Sequence, residues 1–143
     1  MRKKKAKLTK VFLDAAYAIA LSSPTDQYHG HAKVIAEQLE ADGTQLITTS
    51  AVLLEIGNAL AKQRYRAAAI ELLDSLQEDS DVEIVPISED LYERAFQLYR
   101  ERQDKEWGLT DCISFVVMND RGLMKALTTD EHFKQAGFQV LLS

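Results

Sequence analysis

Four carboxylates stand at positions in this chain where charge is difficult to accommodate. Asp14 closes Lys10-Val11-Phe12-Leu13-Asp14, which reads as a short buried strand. Glu55 lies among Ala51, Val52, Leu53, Leu54 and Ile56. Asp111 leads the run Cys112 to Met118, apolar apart from Ser114. Asp130 follows the short segment Lys125 to Thr129. Burying a charge costs free energy unless it is paired or binds a metal. None of the four has a basic residue next to it in sequence. Hard oxygen donors of this kind suit Mg²⁺ or Mn²⁺. One or two such ions, about 3.5–4 Å apart when paired, can activate water and stabilise both oxygens of an in-line phosphodiester displacement. They also reconcile an acidic rim with a polyanionic substrate by inverting the local charge.

The elements that must position these groups follow from the pattern around them. Thr110 is a candidate N-cap, which puts Asp111 in the first turn of a helix, where the dipole favours an anion. That helix is buried on most sides and ends at Asn119-Asp120-Arg121-Gly122, with Gly122 suited to a left-handed cap. Lys125 to Thr129 suits a strand with Asp130 just beyond it. Earlier in the chain, Ala15 to Leu21 reads as a small-residue helix broken at Pro24. Gln27 to Ala41 is amphipathic, with Ala32, Ile35, Ala36 and Leu39 on one stripe. Gln45 to Thr49 is a second strand, and Ser50 can cap a helix running to about Lys62. Ala51 and Ala59, one turn on either side of Glu55, leave room for something to approach it. Ala67 to Leu76 is a helix, Val82 to Pro86 a strand, and Ser88 to Arg102 a helix. The apolar side of the last is read as Leu91, Ala95 and Leu98 with Tyr92, Phe96 and Tyr99. Phe138 to Leu142 is a final strand.

Strands alternating with helices imply an α/β domain with a mostly parallel sheet covered on both faces. In such sheets ligands bind beyond the C-terminal strand ends. Asp14 and Asp130 follow strands, and Glu55 and Asp111 lie on helices leaving the same edge, so the four acids are expected on one rim.

The chain of 143 residues is read as residues 11–143 forming one domain, preceded by a basic extension at residues 1–10. Six of its 17 basic residues fall in those first ten, so the remainder carries 11 basic against 22 acidic side chains. A basic arm on an acidic body could tether a polyanion; a solvated arm is the simpler reading. The apolar segment Val11 to Leu21 is interrupted by Asp14 and falls short of the ~20 apolar residues of a membrane span. Secretion and membrane insertion are therefore rejected and a cytoplasmic location is expected. The single cysteine excludes an intrachain disulfide and a cysteine-based zinc cluster; Cys112 is read as a small core residue.

Taken together, Asp14, the segment Ser50-Ala51-Val52-Leu53-Leu54-Glu55-Ile56-Gly57-Asn58, Leu109-Thr110-Asp111-Cys112-Ile113 and Leu127-Thr128-Thr129-Asp130-Glu131-His132-Phe133 resemble a PIN domain. The likeness is greatest to the small prokaryotic VapC-type toxins and runs from Val11 to Leu142. It implies a three-layer α/β/α fold with a five-stranded sheet of order 3-2-1-4-5. It further implies a metal-dependent endoribonuclease using Mg²⁺ or Mn²⁺, an RNA substrate, an antitoxin partner and a homodimer. Asp14, Glu55, Asp111 and Asp130 match the family's catalytic and metal-binding acids, and Thr110 and Thr129 match positions that support them. The family often places Ser or Thr after the first Asp, where this chain has Ala15. That departure keeps open a second reading, a catalytically weak or inactive binding or scaffold module. A phospho-acceptor receiver domain would want a carboxylate pair at the first switch and a lysine after a later strand, which fit poorly.

The remaining chemistry-bearing residues have plainer readings. His29 and His31 lack a third zinc ligand in the sequence and are read as solvated. His132 is read as a packing or capping residue at a helix start, with phosphate contact as the rival. Trp107 is read as core. Neither G-x-G-x-x-G nor the Walker pattern occurs.

Overall fold

The structure is a computed structural model and describes residues 9–142. The basic extension therefore lies almost wholly outside the described residues. The chain order is β1 (Lys10–Leu13), α1 (Ala15–Ser22), α2 (His29–Ala41), β2 (Gln45–Thr49), α3 (Ser50–Ala59) and α4 (Gln63–Glu78). It continues with β3 (Val82–Val85), α5 (Glu89–Glu101), α6 (Leu109–Arg121), β4 (Lys125–Leu127), α7 (Glu131–Gln135) and β5 (Gln139–Val140). All five strands pair in parallel, in the order β3-β2-β1-β4-β5 expected for the family resemblance.

The central strand shows why helices must cover both faces. Successive strand side chains point to opposite faces, and Val11, Phe12 and Leu13 are all buried. α6 is buried through seven consecutive residues, Cys112 to Met118, so it has no solvated stripe over that length. Gly122 closes it in the left-handed region at φ 65°, which a β-carbon would disfavour. Phe115 on α6 is the hub of an aromatic cluster, 5.0 Å from the rings of Trp107 and Phe133 and 5.6 Å from Phe138. Trp107 is thus core, as read from sequence, and its Nε1 donates to Gln135 Oε1.

Several boundaries differ from the sequence reading. The helix expected over residues 67–76 spans 63–78. β4 stops at Leu127, so Asp130 sits three residues beyond the strand. Thr49, not Ser50, caps α3, accepting from Val52 N. The N-cap of α6 is Gly108, not Thr110, so Asp111 occupies the third helical position. On α5 only Leu91 and Ala95 are buried, with Leu98 partly so. Tyr92, Phe96 and Tyr99 are exposed and cover one another instead, in an edge-to-face row with rings 6.1 and 6.2 Å apart. A helix that packs along one line on α6 buries one stripe, and these aromatics fall beside it. Among the described residues no helix is long and apolar enough to cross a membrane.

Candidate metal centre

The order β3-β2-β1-β4-β5 reverses direction between β1 and β4, and that switch point is where a crevice opens at the strand ends. Asp14 leaves β1 on one side of it. Its amide donates to Leu127 O, the last residue of β4, at 3.1 Å. Asp14 is also the N-cap residue of α1, yet its side chain makes no cap bond. Instead its Oδ2 accepts from Thr128 Oγ1 at 2.6 Å. The same hydroxyl oxygen accepts from Asp130 N at 3.1 Å. One buried side chain thus fixes both acids of the switch point.

Asp130 caps α7, its Oδ1 accepting from His132 N at 2.9 Å. Phe133, fully buried between Phe12 and Phe115, anchors that short helix in the core. Asp111 reaches back to the start of α6, its Oδ2 accepting from Gly108 N at 3.1 Å. The same oxygen lies 2.9 Å from His132 Nδ1, which is also 3.5 Å from Asp130 Oδ1. Asp111, Asp130 and His132 each offer a ligand atom, and these atoms lie within 4.8 Å of one another. Glu55 stands on the exposed side of α3, outside that tight set.

The four acids nevertheless feel one another. Asp14 has its pKa pushed up to about 7, first by burial and then by the charges of Glu55 and Asp111, against the lowering bond from Thr128. Glu55 is raised by partial burial and by the charges of Asp111 and Asp130. Burial also raises Asp111, outweighing its bonds from His132 and Gly108. Burial pulls His132 down, but the bond to Asp111 and the charges of Asp130 and Asp111 bring it above its usual value. Among the described residues no Lys or Arg pairs with any of the four; the ion pairs of Arg94, Arg102 and Arg121 engage other acids. Oxygen donors with no Lys or Arg partner among the described residues, held together against their own repulsion, fit a hard divalent ion.

Two residues of this arrangement were not singled out correctly by sequence. The hydroxyl bonded to the acids belongs to Thr128, not to Thr110 or Thr129. Its signal was its place at a buried strand end, two residues before Asp130. His132 does start a helix, as expected, but its ring also faces two of the acids. The other candidates stay outside. His29 Nδ1 contacts Ala20 O at 2.9 Å, and His31 is exposed. Cys112 is buried and its thiol is pushed up to about 11, which suits a core residue rather than a nucleophile.

Fold order, switch-point acids and donor chemistry agree on one class, and residues 11–139 match the PIN domain family. The chain belongs to that family, whose members are divalent-metal-dependent nucleases. It is 27% identical over 128 residues to the 23S rRNA-specific endonuclease VapC20 of Mycobacterium tuberculosis, covering 90% of this chain and 95% of that one. The crystal structure of that Mycobacterium tuberculosis protein, described as a sarcin-ricin loop cleaving toxin, superposes with a TM-score of 0.81 at 26% identity over the same shares. The VapBC2 structure from Rickettsia felis bound to a promoter DNA fragment matches with a TM-score of 0.66 and 16% identity. That match covers 92% of this chain and 97% of that one and shows the fold alone.

Proposed function

We propose that this protein is a VapC-type toxin that cleaves ribosomal RNA, with Asp14, Glu55, Asp111 and Asp130 as its metal-binding and catalytic acids. The observation that carries the reading is the grouping of these acids about the switch point with no Lys or Arg paired to them among the described residues. The similarity to a ribosomal-RNA endonuclease over nearly its whole length supports the substrate class. A bound Mg²⁺ or Mn²⁺ supplies Lewis-acid activation of water and neutralises charge on the phosphodiester. The chain's own residues supply the positioning. Thr128 orients Asp14, while the Gly108 amide and the His132 ring orient Asp111. The His132 amide orients Asp130. Glu55, exposed on α3 and with a raised pKa, would be the acid that takes a proton from the attacking water.

The Thr128 hydroxyl on Asp14 supplies a supporting bond despite Ala15, which favours a catalytic centre over a non-catalytic module. An antitoxin follows from the toxin role, and a basic side chain inserted among the four acids would quench them. Homodimerisation is supported by the exposed row Tyr92, Phe96 and Tyr99 on α5. A ribosomal-RNA substrate would be met in the cytoplasm, so a cytoplasmic location goes with this reading.

The test is incubation with intact ribosomes and with purified 23S rRNA, with Mg²⁺, with Mn²⁺ and with EDTA, followed by end mapping. One or a few metal-dependent cuts in ribosomal RNA are expected. Metal-dependent cuts confined to other RNAs would replace the substrate, and RNA left intact under all conditions would sink the nuclease reading.

A further inference from the structure

We propose that His132 Nδ1 is a direct ligand of the metal ion, and that this nitrogen makes the centre prefer Mn²⁺ to Mg²⁺. The inference rests on the metal-centre reading above and adds a donor to it. Its basis is the spacing of the donor atoms. An octahedral ion with bonds of about 2.1 Å places adjacent donors about 3.0 Å apart and opposite donors about 4.2 Å apart. His132 Nδ1 lies 2.9 Å from Asp111 Oδ2 and 3.5 Å from Asp130 Oδ1. These two distances match neighbouring positions about one small ion, and each of the three residues offers a ligand atom within 4.8 Å of the others.

The ring is held in that place from both sides. Its own amide is bound to Asp130 Oδ1, and the next residue, Phe133, is locked in the aromatic core. These backbone anchors fix where the side chain starts, and the contacts to Asp111 Oδ2 and Asp130 Oδ1 hold the ring itself. Nδ1 therefore faces the two carboxylates, while Nε2 makes no hydrogen bond among the described residues. Among the described residues, the only cation-capable side chain paired with these acids is thus this imidazole. A ring nitrogen can give its position to a metal in the neutral form, as imidazole ligands do. Carboxylates and water serve Mg²⁺ and Mn²⁺ alike, whereas an imidazole nitrogen favours the transition ion. A centre with this donor should therefore discriminate between the two.

The experiment loads metal-stripped full-length protein with less than one equivalent of Mn²⁺ and records pulsed EPR. The wild type should show a directly bound ¹⁴N coupling that changes to the ¹⁵N pattern when histidine is ¹⁵N-labelled. His132→Asn keeps an amide group near the place of Nδ1 but removes the imidazole, and it should lose the coupling. Calorimetry should show its Mn²⁺ affinity falling about 10-fold or more while Mg²⁺ affinity falls less, which lowers the Mn²⁺/Mg²⁺ ratio. The chain has three histidines, and His29 is engaged with Ala20 O, so loss in the variant assigns the signal. Bound Mn²⁺ with no nitrogen coupling overturns this inference and leaves the carboxylate centre standing. Equal losses of both affinities in His132→Asn overturn it too, since a ring that only orients Asp111 predicts that result. Failure of the wild type to bind Mn²⁺ overturns both this inference and the metal-centre reading. The labelled wild type needs no substitution, so the spectrum decides even if a variant folds poorly.

Discussion

Thr128 donates its hydroxyl proton to Asp14 across 2.6 Å, joining residues 114 positions apart in sequence. The bond sits at the junction of β1 and β4, where both side chains are buried. It ties one acid of the rim to the strand that leads to another, because the same oxygen accepts from Asp130 N. Replacing Thr128 by Val keeps the shape and removes both bonds. A buried polar group left unpaired costs about 1–3 kcal/mol. Thr128→Val should therefore melt lower than wild type and bind Mn²⁺ more weakly, while Thr128→Ser should keep most of both properties. Thermal melts and Mn²⁺ titrations of the two variants check this. Equal behaviour of Val and Ser would show that the hydroxyl matters to neither.

Asp111 tests the chemistry without disturbing the frame. Its exchange for Asn keeps an oxygen that can accept from Gly108 N, so the start of α6 should survive. What is lost is a negative oxygen donor among the other acids. Removing it should lower the rate of RNA cleavage by roughly 10²-fold or more, several kcal/mol of transition-state stabilisation. Circular dichroism should be unchanged. A cleanly purified Asp111→Asn protein that cuts as fast as wild type would mean that the activity comes from elsewhere.

The N-terminal arm is a matter of charge alone. Arg2, Lys3, Lys4, Lys5 and Lys7 precede the described residues and carry five positive charges next to an acidic body. If they engage RNA phosphates, binding releases condensed counterions, and the slope of log affinity against log salt steepens. Deleting residues 2–7 should flatten that slope and leave the melting temperature unchanged. Binding measured at several salt concentrations decides it, and an unchanged slope assigns the arm no role in RNA binding.

How far the sequence could be read depended on the range of the physics involved. For α6 the helix signals lay at its ends, at Thr110-Asp111 and Gly122, because the apolar run Cys112 to Met118 alone would suit a buried strand as well. The strand order came from the family resemblance, since periodicity alone cannot rank parallel strands. Asp14, Glu55 and Asp111 stood out against apolar neighbours, and Asp130 by its place after a strand-like segment. Thr128 did not, because Thr128 and Thr129 are adjacent and alike, and the end of β4 two residues earlier than expected decides which one faces Asp14. The aromatics of α5 misled for a related reason. Tyr92, Phe96 and Tyr99 have helical spacing, but periodicity does not reveal which stripe a neighbour covers. His132 needed the tertiary fold as well, since only docking of Phe133 aims its ring at Asp111.

The acids should also make stability depend on pH in a predictable direction. Burial pushes the Asp14 carboxyl in the fold up to about 7 from its ordinary value of 3.8. A raised carboxylate favours the fold when protonated, so its contribution is fully present below 3.8 and is lost as pH rises through 7. The shift corresponds to about 4 kcal/mol as an upper bound for this one group. Glu55 and Asp111 are raised as well and act in the same sense. In EDTA the wild-type protein should therefore melt progressively lower between mildly acidic and neutral pH. Asp14→Asn keeps an acceptor for the Thr128 hydroxyl and removes the charge, so it should melt higher than wild type at neutral pH in EDTA. That advantage should disappear at low pH, where Asp14 is already neutral. Saturating Mn²⁺ should stabilise the wild type by about 2.7 kcal/mol at a hundredfold excess over Kd, and the variant by less. The order of melting temperatures should then narrow or reverse on adding metal. Melts of both proteins across this pH range, with and without metal, check each step. A lower-melting Asp14→Asn in EDTA, with no metal response in either protein, would show that the acids do not repel one another and share no ion.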